Sequence, residues 1–186
     1  MQLLAGQTLW AVVLGFVSCA AWIDGRTRRI PNWLTVSGFA VGVALHLCLA
    51  GWRGGLFALE GSVLGLLVLL PLVLLRALGA GDWKLMGALG AFVGPVMLWF
   101  VLLASVLVAG VMAVVQMVMA GRVRETLRNV GLLIMGFFAY GFRAHPEISI
   151  DNPDALKLPF GVAVAIGTLI CFVAANWHLA LWHLAG

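Results

Sequence analysis

Charged side chains are scarce in this chain, eleven basic and seven acidic among 186 residues, while 63% of the residues are apolar. Soluble domains are roughly 45–50% apolar and about 25% charged. A water-soluble globule is therefore excluded, and a mean hydropathy of +1.11 assigns the protein to a bilayer. Long polar stretches are missing as well. The longest, Arg143 to Lys157, is too short for a soluble core, and its prolines and acids suit a surface loop. Cysteine is sparse: Cys19, Cys48 and Cys171 lie inside apolar runs with no CxxC pair, and are expected to be buried packing residues. Ser18, Ser37, Ser62, Ser105 and Ser149 form no Ser/His/Asp pattern, and His46, His145, His178 and His183 form no metal-binding pair, so no metal and no cofactor is expected. The net charge of +4 does not signal nucleic acid, because the basic residues are scattered among connections rather than striped along one helix.

What is present is a succession of apolar runs. A helix needs about 20 residues to cross a hydrocarbon core of about 30 Å, and on that scale 3–23, 33–50 and 56–76 read as spans. A single helix over 83–120 would be about 57 Å long. Gly94-Pro95 is the natural break, since proline lacks the backbone donor and disfavours helix in the residue before it. The spacing thus predicts a short span over 83–93, another over 96–119 and a last one over 158–176, with 129–142 as an interfacial segment on the inner side. Pro31 and Asn32 are expected to start the second span, and Pro71 to kink the third.

With the N-terminus outside, ten of the eleven basic residues fall on the inner side: Arg26, Arg28, Arg29, Arg76, Lys84, Arg122, Arg124, Arg128, Arg143 and Lys157. Only Arg53 is left outside, as the positive-inside rule asks. The expected fold is an all-α polytopic helical bundle of about six transmembrane helices, one domain over 1–186.

Two acids stand out against this background. Asp24 directly follows the first apolar run, and Asp82 lies in Gly79-Ala80-Gly81-Asp82-Trp83-Lys84, where the glycines would permit non-helical backbone. Ionisable groups at membrane depth cost free energy and usually mark function. The topology puts both on one face. Two carboxylates brought together cannot both ionise cheaply, so they share a proton, and one can serve as base while the other serves as acid. Taken singly, Asp24 has a plain reading as an interface residue paired with Arg26 or Arg28, and Lys84 one as a snorkelling boundary lysine.

Gly79-Ala80-Gly81-Asp82 resembles the GxGD motif of membrane aspartic proteases, and Asp24 followed by Arg29-Ile30-Pro31-Asn32 resembles the first-aspartate region of prepilin peptidases. Lys157-Leu158-Pro159-Phe160-Gly161 is similar to that family's entry into its final helix. The resemblance implies a leader peptidase that cuts prepilin-like membrane substrates at the cytoplasmic face of the inner membrane, beside the pilus assembly machinery. It implies that Asp24 and Asp82 are catalytic, that Gly79 and Gly81 shape the loop carrying Asp82, and that Lys84, with Pro31 and Asn32, helps position the site or the substrate. The larger members carry a soluble methylating domain with paired cysteines. This sequence resembles the short, stand-alone type associated with tight-adherence pili. Two other functions remain open at this point: a GxGD protease that cuts within transmembrane helices, and a non-enzymatic cation or proton channel or transporter built on the two carboxylates.

Overall fold

A computed structural model of the chain describes residues 2–121, 123, 124, 128, 131 and 158–185. They form four long helices: α1 Gln2–Thr27, α2 Asn32–Leu74, α3 Ala80–Met119 and α4 Phe160–Ala185. Each contains a stretch long and apolar enough to cross a membrane, as expected of an integral membrane protein. The segment 129–142 lies outside the described residues apart from Gly131.

α2 and α3, with 43 and 40 residues, are about twice as long as a bilayer needs, and a glycine interrupts each. In α2 the only non-helical residue is Gly51, at φ 59° and ψ −147°. In α3 it is Gly94, at φ 72° and ψ 176°, directly before Pro95. Pro71, expected to kink its helix, keeps helical backbone angles one turn from the end of α2.

The two breaks meet. The His46 ring, on the near side of the α2 break, bonds through Nε2 to Phe92 O at 2.8 Å, beside the α3 break. Phe57, beyond the α2 break, packs edge-on against His46 and fills the space where a side chain at Gly94 would stand.

α3 is the centre of the bundle, packed on α2 and α4, while α1 packs on α4 and touches α3. From Leu85 to Phe92 α3 is buried on every side, which explains why this stretch carries no polar face. Small residues allow the approach: a Cβ on Gly61 would run into Gly90 O, and one on Gly90 into Gly61 O, so α2 and α3 meet backbone to backbone. Ser105 and Thr168, both buried, return their hydroxyls to the carbonyls of Val101 and Val164 within their own helices.

Three local expectations need correction. α1 does not stop with its apolar run at Ile23 but continues to Thr27, so Asp24 sits in its last turn. α3 begins at Ala80, so Ala80, Gly81 and Asp82 are helical, and only Gly79 is extended. Of the cysteines, Cys171 is buried, but Cys19 and Cys48 are on exposed helix faces, where an apolar side chain meets lipid rather than protein.

Candidate active site

The site is built from two short connections. α1 ends at Arg28, which adopts a left-handed conformation at φ 52° while its N–H bonds to Asp24 O. Thr27 Oγ1 lies 2.9 Å from both Ile23 O and Arg29 O, holding the turn closed. The chain then passes through buried Ile30 to Pro31, whose extended backbone leads into α2 at Asn32.

The second connection starts where Arg76, also left-handed at φ 54°, ends α2. Gly79 is the extended N-cap of α3, and Asp82 is the third helical residue. The Asp82 carboxyl turns back on Gly79, whose backbone hydrogen-bonds to it, as an acid at that position of a helix commonly does. Trp83 anchors the turn by donating from Nε1 to Leu66 O at 2.7 Å.

These connections press on one another. A Cβ on Gly81 would stand 3.2 Å from Ile30 O and 3.3 Å from Ile30 Cβ, so the glycine is needed for close approach rather than for an unusual turn. Lys84 Nζ donates to Asn32 Oδ1 at 3.0 Å. In this way Gly81 and Lys84 bring the start of α3 against Ile30 and Asn32, just after the end of α1.

Asp24, 4% exposed, is buried. Its Oδ2 accepts the backbone N–H of Gly161 at 2.8 Å, from the first turn of α4. Arg28 faces it from its own helix, whereas Arg26 lies over the Trp22 ring at 4.1 Å. Asp82 lies within range of the charge on Asp24. Sequence reasoning found both acids but gave Gly161 no contact with either. The pattern Pro159-Phe160-Gly161 at a helix start was the available signal.

Beside Lys84 a cavity of about 390 Å³ opens between α2 and α3, lined by Thr35, Val36, Phe39, Leu59 and Val63 among others. Its wall is almost entirely apolar. Among the described residues no three His, Cys, Asp or Glu side chains gather as metal ligands would.

Comparison with known proteins bears on what this arrangement does. The model of the type IV leader peptidase family matches residues 11–114, more than half of the chain and inclusive of both acids. The searches of curated proteins and of solved structures found no match. On the strength of the family match, this chain belongs to the type IV leader peptidases, and it is an aspartic peptidase.

Proposed function

We propose that this peptidase removes the leader from prepilin-like precursors at the cytoplasmic face of the membrane, using a water activated between Asp24 and Asp82. The observation that carries the reading is that the charge of Asp24 reaches Asp82, although the whole of α2 separates them in the chain. One carboxylate takes a proton from the water as the water oxygen bonds to the scissile carbonyl carbon, and the other gives its proton to the carbonyl oxygen. In the tetrahedral adduct the first acid returns its proton to the amide nitrogen, and the second recovers one from a hydroxyl. The C–N bond then breaks to a carboxylic acid and an amine, and the pair is restored with one proton between them.

Gly81 supports this by letting α3 start hard against Ile30, Gly79 by leaving room for the Asp82 carboxyl, Lys84 and Asn32 by linking the two connections, and Pro31 by leading into α2. The apolar cavity lined in part by Lys84, two residues after Asp82 in α3, offers the substrate's hydrophobic segment a place.

The proposed topology has the chain, as one integral-membrane domain, cross six times with its N-terminus outside. The breaks at Gly51 and Gly94 divide α2 and α3 into two crossings each, and α1 and α4 supply the others. The bias of basic residues supports an inward-facing site.

The test is co-expression with a prepilin-like precursor. Asp24→Asn and Asp82→Asn should each abolish leader removal while the protein still inserts at wild-type level. Full processing by either variant refutes the reading.

A further inference from the structure

The catalytic reading occupies Asp24 and Asp82 but leaves the last helix without a part, although α4 aims its first turn at one of them. The N–H groups of a first helical turn have no partner within the helix and carry the positive end of its dipole. At the start of α4 one of these, on Gly161, is spent on Asp24 Oδ2 at 2.8 Å, with donor and acceptor both buried. A Cβ at position 161 would lie 3.0 Å from both Asp24 Cβ and Asp24 Oδ2 and 3.3 Å from Cγ. The Gly161 backbone is not left-handed, so conformation does not call for glycine here. The nearness of Asp24 does.

We propose that Gly161 is a positioning residue of the cleavage reaction: its N–H fixes Oδ2 of Asp24, so that Oδ1 is the oxygen that works on the water. The proposal rests on the reading of Asp24 as half of the catalytic pair. A backbone hydrogen bond to a carboxylate favours its charged form, and each acid has one, Asp24 from Gly161 and Asp82 from Gly79. Among the described residues, the charged groups facing Asp24 are Arg28 from the end of α1 and Asp82 from α3. The α4 helix lies beyond the residues matched by the family model, and its contact with Asp24 comes from the geometry.

The decisive experiment replaces the peptide N–H of residue 161 by an ester oxygen, using glycolic acid in place of glycine in the full chain, assayed in proteoliposomes on a prepilin-like substrate. This removes the donor without adding bulk. The expected result is a fall in kcat of about tenfold or more with KM nearly unchanged, as for loss of a hydrogen bond to a charged group. The acidic limb of the kcat profile should also move to higher pH, because without this donor the pair is less easily kept ionised. A second variant, Gly161→Ala, keeps the N–H but displaces Asp24. It should lower kcat while the unfolding temperature stays near wild type, and it decides the matter if the ester protein does not insert. Wild-type kcat and an unmoved pH profile in the ester protein, or wild-type kcat in Gly161→Ala, overturn the positioning role while Asp24→Asn remains inactive. An active Asp24→Asn would instead bring down the reading beneath it.

Discussion

Lys84 donates from Nζ to Asn32 Oδ1 at 3.0 Å, tying the first turns of α3 and α2 together beside the two acids. The bond is solvent-exposed, and a hydrogen bond of that kind contributes about 1 kcal/mol or less to stability. Its weight should fall on the reaction. Lys84→Met keeps the aliphatic stem but loses the donor, and is expected to slow leader cleavage several-fold with little change in unfolding temperature. Parallel turnover and thermal-unfolding measurements on the purified protein check this, and wild-type turnover would remove Lys84 from the site.

Gly61 and Gly90 tell a different story, because each would drive a Cβ into the other's carbonyl oxygen. Backbone cannot yield as a flexible side chain can. Gly61→Ala should push α2 away from α3 and cost about 1–3 kcal/mol, the usual range for overpacking. Denaturation in detergent should show it, with residual activity falling in step with the folded fraction.

The break at Gly94 combines two constraints, a backbone region almost reserved for glycine and the Phe57 ring in the way of any side chain. Gly94→Ala is expected to destabilise by more than Gly51→Ala, where φ is positive but the surrounding space is open. Gly15→Ala is the control, since nothing lies within 4 Å and the residue is helical. Alanine there should be neutral or stabilising by about 0.5–1 kcal/mol. Unfolding temperatures for the three variants, ranked in that order, test the account of the breaks.

His46→Ala would strip the partner from Phe92 O, a buried carbonyl at the α3 break. An unsatisfied buried acceptor costs about 1–3 kcal/mol. The loss should appear in the unfolding temperature, while the rate of cleavage per folded molecule stays the same, because the break is remote in the helix from Asp82.

Much of this was readable from the residues, and what was not has physical reasons. The Gly94-Pro95 break was legible because proline lacks a donor and the apolar run is too long for one crossing. The end of α1 was misjudged because hydropathy falls at Asp24, whereas helical hydrogen bonding runs on until Arg28 turns left-handed. Gly79-Ala80-Gly81 looked like slack backbone, yet Gly81 is there to let Ile30 come close. That distinction depends on a neighbour 51 positions earlier in the chain, which no local pattern contains. The bond from Gly161 to Asp24 spans 137 positions and is invisible for the same reason. Cys19 and Cys48 failed the buried expectation because in a bilayer an apolar environment does not require a protein neighbour.

The central claim, that Asp24 and Asp82 act as one unit, is tested most directly by comparing kcat for Asp24→Asn, Asp82→Asn and the double variant in proteoliposomes. Groups that share one proton cannot lose their function twice. Each single variant should lose about a hundredfold or more, with the double no worse than the singles. Substantial turnover in either single variant, or losses that multiply in the double, would contradict the account.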